Sequence, residues 1–195
     1  MSYPILKYNI QLPQFGVWKE AFTEEEIEKI IFLEKLVEFS SGLTGSSKEA
    51  NPDARASDVS FLPVDDNTKW VWDRIAQIVP RVNYDLFLYD IEVIEALQYT
   101  VYREDQHYDW HIDSHHHWLN WERKISGTIL LSDPEEYEGG ELEIIDSGSP
   151  DRSQVLKPAK GHIAFFASHM PHRVRPVTSG TRRSIVFWVQ GRRNI

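Results

Sequence analysis

The stretch from His107 to Trp118, HYDWHIDSHHHW, concentrates side chains that can bind metal ions or transfer protons. It holds five of the eight histidines, and the others are His162, His169 and His172. His111 and Asp113 are two residues apart, so on a β-strand they point to one face while Ile112 packs on the other. Imidazole and carboxylate together suit Zn, Fe(II), Mn, Co and Ni. The spacing therefore indicates a metal site, although any strand face with two polar residues would show the same pattern.

A third ligand is needed, and His172 is the best candidate. It follows the Met170-Pro171 turn and precedes an extended run from Arg173 to Val177. Two histidines and one carboxylate form the facial ligand set of non-haem Fe(II) oxygenases, which leaves coordination positions open. His169 is the competing candidate.

The remaining histidines have structural interpretations. His107 and Tyr108 close the turn before the predicted metal strand. His162 lies in an apolar strand pattern, which is typical of a satisfied structural histidine. The consecutive histidines 115–117 cannot all face one ion, and we expect them in a loop over the entrance.

Two helices are predicted in the first half of the chain. Thr23 and Glu26 form a capping box, and apolar residues at helical spacing continue to about Val37. A second helix is predicted from about Asn67 to Val79, where it ends because Pro80 follows. The stretch 40–65 is rich in Ser, Gly, Asn, Asp and Pro and is predicted to be a long connection.

The second half of the chain alternates in the manner of strands. Five segments are rich in Ile, Val, Tyr, Phe and Thr, with turn residues between them: Ile91–Tyr102, Ile125–Ser132, Glu141–Ile145, His162–Ala167 and Arg183–Gln190. Helices followed by many short strands predict a mainly β (α+β) fold, with a helical layer against an antiparallel sandwich or barrel.

Length and charge exclude several classes of protein. The 195 residues fit one domain, and the absence of cysteine excludes disulfides and thiolate metal sites. No apolar run approaches a membrane span, and the N-terminus lacks a secretory signal pattern, so a cytoplasmic location is the default expectation. The net charge of −9 argues against nucleic acid as the main partner. However, six arginines and no acidic residue follow His169, either as a solvated basic edge or as contacts for an anion.

Three motifs together resemble the catalytic domain of the Fe(II)/2-oxoglutarate-dependent dioxygenases, and most closely the prolyl 4-hydroxylase-like, PKHD-type hydroxylases. QYTVYREDQHYDWHIDS is similar to the family's metal strand and turn, although a Gly common in that turn is missing. SGTILLSDPEEYEGGEL is similar to its Ser-x-Thr strand and Gly-Gly-Glu-Leu. KGHIAFFASHMPHRVRPVTSGTR is similar to its His-x-Val-x-Pro-Val and Gly-x-Arg run. The order and spacing match over about half the chain, from Gln98 to Arg192.

The resemblance implies a double-stranded β-helix (jelly roll) within one domain spanning 1–195. Helical support is expected over about 20–80, and the catalytic core over about 84–192. The implied cofactors are Fe(II), 2-oxoglutarate as co-substrate and O2, with ascorbate as reductant.

The resemblance also assigns roles by position. His111, Asp113 and His172 are the implied iron ligands, and only His172 has the spacing to Val174 and Pro176 that the family shows. Arg182 is expected to bind the distal carboxylate of 2-oxoglutarate, because a guanidinium suits a planar carboxylate.

Three further residues are expected near the co-substrate. Tyr102 matches the family's strand tyrosine. If Tyr102 points inward, strand alternation points Gln98 and Thr100 inward as well. Thr128 lies on a facing strand and could add a hydroxyl contact. Trp188 shares the strand face of Arg182, together with Ser184 and Val186, whereas Arg183 points to the opposite face.

The implied activity is hydroxylation of an unactivated C–H bond, and the family favours a prolyl residue of a peptide or protein. Segments 40–65 and 114–123 would be candidate lids over an extended peptide. The alternatives are hydroxylation of a small molecule or free amino acid, and a non-catalytic sensor of iron and 2-oxoglutarate or a cupin-like metal protein. Nucleic-acid demethylation is disfavoured by the net charge, and nothing in the sequence indicates a membrane partner.

Overall fold

A computed structural model describes residues 13–43, 51–114, 116–118, 121–146 and 153–192. Two α-helices, α1 (Glu24–Phe32) and α2 (Lys69–Leu86), accompany fifteen strands. The strands are β1 (Phe15–Trp18), β2 (Ser40–Ser41), β3 (Arg55–Ala56), β4 (Asp58–Leu62), β5 (Val93–Tyr102), β6 (His107–His111), β7 (His116–Trp118), β8 (Trp121–Leu130), β9 (Tyr137–Gly139), β10 (Leu142–Ile145), β11 (Ser153–Leu156), β12 (Ile163–Ala167), β13 (His172–Val174), β14 (Val177–Gly180) and β15 (Arg182–Arg192).

Helix α1 begins with the predicted capping box. The Thr23 hydroxyl accepts from the Glu26 amide at 3.3 Å, and the Glu26 carboxylate accepts from the Thr23 amide at 2.9 Å. The α-helix ends at Phe32, earlier than predicted, and one 3-10 turn over Leu33–Lys35 completes the apolar stripe.

Helix α2 corrects the prediction that it would end at Val79. It continues through Pro80 to Leu86, because its apolar face remains buried on both sides of the proline. Val79 and Val82 are both 4% exposed, whereas Pro80 lies on the exposed side of the helix. The packing of that face outweighs the hydrogen bond that proline removes, a loss of about 3 kcal/mol in a helix interior.

The predicted connection over 40–65 is also corrected, because it contains β2, β3 and β4. β4 pairs in register with β5, from Asp58 opposite Val101 to Leu62 opposite Leu97. Its buried apolar positions, Val59 and Leu62, are too few to show a clear alternation in the sequence. Residues 44–50 of this candidate lid lie outside the described part of the chain.

The described strands form two main antiparallel sheets, the arrangement of a jelly roll. The large sheet has the order β1-β12-β8-β15-β5-β4-β2, with β7 paired to β8. The small sheet has the order β11-β10-β13-β6-β3, and β14 pairs with β9 separately. The five predicted strands correspond to β5, β8, β10, β12 and β15, with shifted ends.

The two faces of the large sheet have different partners. Tyr99 and Ile185 face the helices and belong to one core cluster with Ile27 of α1 and Ile75 of α2. Intervening residues of the same strands, including Tyr102 of β5, line a cavity between the sheets. None of the described helices is long and apolar enough to cross a membrane.

Candidate functional site

His111 and His172 stand side by side on neighbouring strands of the small sheet. They are direct partners in the β6–β13 register, and their ring centroids are 4.1 Å apart. Nδ1 of His111 lies 2.8 Å from the Asp109 carbonyl, and Nδ1 of His172 lies 2.9 Å from the Met170 carbonyl. Because a carbonyl only accepts, each Nδ1 carries the proton. Each Nε2 therefore keeps its lone pair for a metal ion.

Asp113 brings its carboxylate to the same point. It follows the end of β6 rather than lying within the strand as predicted, and its amide donates to the Ser168 carbonyl at 2.9 Å. Asp113 Oδ1 lies 3.7 Å from His111 Nε2, and Oδ2 lies 3.4 Å from His172 Nε2. The intervening Ile112 is 41% exposed, so it does not pack on the other side as expected.

A hydroxyl pair fixes the Asp113 carboxylate from the large sheet. Ser126 of β8 donates to Asp113 Oδ2 at 2.8 Å. The Ser126 and Ser168 hydroxyls are 2.9 Å apart. Because the Ser126 hydroxyl donates its proton to the carboxylate, Ser168 is the donor in the bond between the two serines. This chain of hydroxyls orients one oxygen of Asp113 and leaves the other to face His111.

The protonation states suit a divalent cation. Burial lowers the pKa of His111 to about 3, which keeps its imidazole neutral at physiological pH. Burial alone would raise the pKa of Asp113, but the nearby imidazoles and the Ser126 hydroxyl hold it well below its usual range.

The three residues form one compact ligand group. Their ligand atoms lie within 4.8 Å of one another. Two neutral nitrogens and one carboxylate oxygen on one side of an ion fit Fe(II) or a related first-row metal, with coordination positions left open.

The group opens into a cavity of about 330 Å³ between the two sheets. Tyr102, Thr128 and Trp188, the three residues expected near the co-substrate, all line it. Gln98 lines it too, as the predicted alternation requires, whereas Thr100 is not in its lining and is fully buried.

Arg182 is buried at the start of β15, with 2% of its surface exposed. Its Nη1 donates to Ser184 at 3.2 Å, and its guanidinium lies 5.7 Å from the centre of the Tyr102 ring. No carboxylate of the described residues forms an ion pair with it. Arg183 points to the opposite face, as predicted, and pairs with Glu34 at 2.6 Å. Arg182 is thus a buried cation with room for an anion.

The Gly-Gly motif makes space beside Arg182. Gly140 has a φ of +64°, and a Cβ there would stand 2.9 Å from Arg182 Cδ. A second cavity of about 380 Å³, lined by Gly139, Gly140, Lys157 and Arg182, adjoins this point. Only glycine combines this backbone conformation with this close approach.

The competing histidines stand apart from the ligand group. His169 is exposed, and His111, Asp113 and His172 are the only group of three possible metal ligands that meet among the described residues. His162 precedes β12, where its Nδ1 accepts from the Ala159 amide at 3.4 Å. His107 contacts the Asp53 carbonyl through Nε2 at 3.1 Å. His115 lies outside the described residues, as does Arg193 of the basic edge.

Several cavity residues were not predicted from the sequence. The Tyr108 ring stacks on His111 at a centroid distance of 3.5 Å, and the Arg55 guanidinium lies 4.5 Å from the Tyr108 ring centre. Arg123 stacks on Trp188 at 3.9 Å and pairs with Glu95 at 2.5 Å. The HYDWHID motif contains Tyr108, but no local pattern marks Arg55 or Arg123, because both reach the cavity only through strand pairing.

Comparison with known proteins agrees with this geometry. Residues 97–190 match the family model described as the 2OG-Fe(II) oxygenase superfamily. This segment belongs to that superfamily. It contains the complete ligand group and all three residues expected near the co-substrate, Tyr102 on β5, Thr128 on β8 and Trp188 on β15.

The oxygenase segment has close relatives among curated proteins. It is 43% identical over 94 residues to a PKHD-type hydroxylase of Verminephrobacter eiseniae, covering 45% of this chain and 39% of that protein. A PKHD-type hydroxylase of Xylella fastidiosa is 37% identical over 102 residues, covering 48% of this chain and 43% of that protein. The matches thus span less than half the length of these relatives.

Solved structures share the fold over 93% of this chain. A Pseudomonas putida prolyl-4-hydroxylase superposes with a TM-score of 0.70 at 17% identity, covering 93% of this chain and 94% of that one. A Trichoplax adhaerens prolyl hydroxylase, solved with a hypoxia inducible factor peptide fragment, gives a TM-score of 0.72 at 18% identity, covering 93% and 84%. The chain therefore has the jelly-roll fold of these proteins, with two helices packed against the large sheet.

Proposed function

We propose that the protein is an Fe(II)- and 2-oxoglutarate-dependent dioxygenase that hydroxylates an unactivated C–H bond. The substrate that we favour is a prolyl residue in a peptide or protein. The observation that carries this proposal is the meeting of His111, Asp113 and His172 at a cavity near Arg182, which is buried and forms no ion pair with a carboxylate of the described residues. A metal site and a site for an anion are what a keto-diacid co-substrate requires.

The chain's own residues supply binding and orientation. His111 and His172 present Nε2 and Asp113 presents one oxygen, so that these three hold Fe(II) on one side. With 2-oxoglutarate and O2, the bound iron supplies the oxidising chemistry. Arg182 binds the distal carboxylate of 2-oxoglutarate, a pairing that also offsets the cost of its own burial.

The lining residues position the co-substrate and substrate. Tyr102 holds the Arg182 guanidinium on one side, and Thr128 offers a hydroxyl on the cavity wall. Trp188 stacks with Arg123 and forms another part of the wall. Ascorbate is the expected reductant that keeps the iron ferrous.

The prolyl substrate is supported by the names of similar proteins and by the form of the cavity. The curated relatives are PKHD-type hydroxylases, and both structural neighbours are prolyl hydroxylases, one solved with a peptide. Exposed Phe61 and Leu43, at 59% and 45%, stand at the cavity edge. An apolar rim of this kind suits an extended peptide.

Turnover of the co-substrate tests the reaction class. Purified protein with Fe(II), ascorbate and 2-oxoglutarate should release succinate, slowly even without a prime substrate. His172→Ala and Asp113→Ala should lower this rate at least 100-fold, because each removes an iron ligand. His169→Ala is the matched control, since this exposed histidine lies three residues from His172, and it should keep the wild-type rate.

Product analysis tests the substrate. After incubation of a proline-rich peptide library with the holoenzyme, mass spectrometry should find one added oxygen on proline. Oxygen on another residue would replace the prolyl assignment but keep the reaction class. Succinate release that persists in Asp113→Ala would contradict the ligand assignment itself.

A further inference from the structure

The three arginines at or beside the cavity differ in how their charges are balanced. Arg123 is paired with Glu95 through two hydrogen bonds of 2.6 and 2.5 Å. Arg182 has no carboxylate partner in the described part of the chain, and the proposed function gives it the distal carboxylate of 2-oxoglutarate as its partner. Arg55 is the third, and no carboxylate of the described residues forms an ion pair with it. One positive charge at the cavity therefore has no balancing anion from this part of the chain.

Among the described residues, Arg55 donates its side-chain hydrogen bonds to neutral acceptors. Its Nε donates to the Ser57 hydroxyl at 2.9 Å, Nη1 to the Leu43 carbonyl at 3.1 Å, and Nη2 to Gln98 Oε1 at 2.9 Å. These bonds use three of the five N–H donors of a guanidinium. One N–H on Nη1 and one on Nη2 remain as donors for a further acceptor, and a carboxylate is the charged acceptor that a guanidinium binds most strongly.

Arg55 is both buried and close to the metal ligands. It is 8% exposed and lines the cavity. Its guanidinium lies 4.5 Å from the centre of the Tyr108 ring, which stacks at 3.5 Å on His111. One aromatic ring therefore separates the guanidinium from a proposed iron ligand. A group bound to Arg55 would stand within a few bonds of a substrate atom at the metal.

A buried guanidinium without an anion is unfavourable, because neutral acceptors and one aromatic face replace its hydration only in part. The hydrogen bonds to Ser57, which precedes β4, to Gln98 of β5 and to Leu43 after β2 nevertheless hold it in place. A rigid, desolvated cation binds an anion strongly, since no ordering cost remains at the moment of binding.

We propose that Arg55 is the recognition site for a carboxylate carried by the prime substrate. This inference rests on the proposed function and narrows its substrate class to acidic substrates. The carboxylate has three sources that share this chemistry: an Asp or Glu beside the target proline, the C-terminus of a peptide ending near it, or the carboxylate of a free amino acid.

Matched substrates distinguish these sources. Proline peptides carrying Asp or Glu at each flanking position are compared with their Asn and Gln counterparts. Peptides with a free C-terminus are compared with their C-terminal amides, and free proline is compared with prolinamide. Mass spectrometry gives kcat/KM for each member. In the wild type, the acid of at least one pair should exceed its amide by 10-fold or more.

Variants assign the preference to Arg55. Arg55→Gln should reduce the acid-to-amide ratio to near one, and Arg55→Lys should keep an intermediate ratio because it retains the charge but loses the fork. Arg182→Gln should raise the dissociation constant of 2-oxoglutarate while it keeps the ratio. Arg81→Gln, which removes an equal charge from an exposed site on α2, should also keep the ratio.

Two outcomes would overturn the inference. One is a wild-type ratio near one in every pair. The other is an Arg55→Gln variant in which kcat/KM falls equally for the acid and the amide substrates. That result would show that Arg55 only supports Tyr108 and His111. If no proline compound is hydroxylated at all, the prolyl assignment fails and a binding measurement decides the role of Arg55.

That measurement uses acetate as the probe. The Arg55 Nε–Hε signal, assigned by its loss in Arg55→Lys, is followed by NMR in Zn(II)-loaded protein with saturating 2-oxoglutarate. Acetate should shift this signal saturably and acetamide should not. A signal that shifts equally with acetate and acetamide, or that shifts with neither, would refute a carboxylate site. This result does not depend on turnover.

Discussion

At the scale of single residues, backbone carbonyls determine which nitrogen each histidine offers. The Asp109 and Met170 carbonyls fix Nδ1–H of His111 and His172, so both rings present Nε2 toward Asp113. Both carbonyls belong to the residue two positions before the histidine. The chain therefore sets the tautomer locally, before the two strands pair.

The histidines and Asp113 could be predicted from sequence because the His-x-Asp pattern, which is weak alone, stands in order with the other motifs that resemble the oxygenase family. His-x-Asp marked one strand, and the Met170-Pro171 turn marked the other. Arg55 could not be predicted, because its significance lies in its burial and in its lack of a carboxylate partner among the described residues. Both properties are tertiary, and a lone arginine in a polar segment indicates only a solvated side chain.

The hydroxyl that orients Asp113 yields a prediction at this scale. Ser126→Ala removes the 2.8 Å hydrogen bond to Oδ2 and lets the carboxylate rotate. We expect the dissociation constant for Mn(II), measured by titration calorimetry, to rise about 10-fold or more, as when outer partners of metal ligands are removed elsewhere.

Ser168→Ala is the matched control for this prediction. It removes the donor to Ser126 but keeps the Ser126–Asp113 hydrogen bond, so its effect on Mn(II) binding should be clearly smaller. Equal losses in the two variants would mean that general packing around Asp113, rather than the orientation of its carboxylate, sets the affinity.

At the scale of elements, long strands and helix starts were predictable, whereas element ends and short strands were not. The capping box at Thr23 is a local signal and was confirmed. Pro80 is also a local signal, but the buried face of α2 continues beyond it and overrides it. The strands β2, β3 and β4 have five residues or fewer. They are stabilised by strand pairing, β4 with β5, β3 with β6 and β2 with β4, rather than by their own sequence pattern.

The pairing of β10 with β13, which positions His172, includes a buried charge cluster. Glu143 is 1% exposed and accepts from Arg173 and Arg175 at 2.5 Å each. Burial alone would raise the pKa of Glu143, but these two arginines hold it below its ordinary value. Trp110 of β6 covers the Arg173 guanidinium at 4.7 Å, which extends the cluster to a third strand.

Removing this charge should destabilise the small sheet. Glu143→Gln should lower the free energy of unfolding at pH 7 by about 2–3 kcal/mol, because two arginines lose their buried partner. Since the folded-state pKa is lowered, the stabilisation is present above the unfolded pKa of about 4.3 and is lost as pH falls through the folded value.

Urea titrations of the wild type and the variant measure this effect. The difference in unfolding free energy should be constant above about pH 5 and should narrow below about pH 4. Glu138→Gln, which removes a charge from an exposed position of β9, should stay within about 0.5 kcal/mol of the wild type. A Glu143→Gln difference that grows toward low pH would contradict the sign of the pKa change.

At the scale of the whole molecule, the ligand group connects the two sheets. His111 and His172 belong to the small sheet, while Ser126, which holds Asp113, belongs to the large sheet. The Asp113 amide is anchored to the Ser168 carbonyl just beyond β12. An ion held by these ligands must be released when the sheets separate, so metal binding is coupled to global unfolding.

This coupling predicts a thermal shift. Mn(II) replaces Fe(II) without oxidation, and at about 100 times its dissociation constant it should stabilise the fold by about 2.7 kcal/mol. For a domain of this size, that free energy corresponds to a rise in Tm of about 5–10 °C. A chelator should reverse the rise, and His169→Ala should show it in full because that exposed histidine is outside the ligand group.

His172→Ala and Asp113→Asn test whether the shift arises at this site. The first removes a ligand from the small sheet, and the second removes the charge of the carboxylate that Ser126 holds. In both variants Mn(II) at the same concentration should leave Tm within about 1 °C of the metal-free value. The stabilisation depends on the logarithm of the ratio of Mn(II) concentration to dissociation constant, and weaker binding makes this ratio small. A full shift in either variant would place the stabilising ion elsewhere in the chain and would separate metal binding from the pairing of the two sheets.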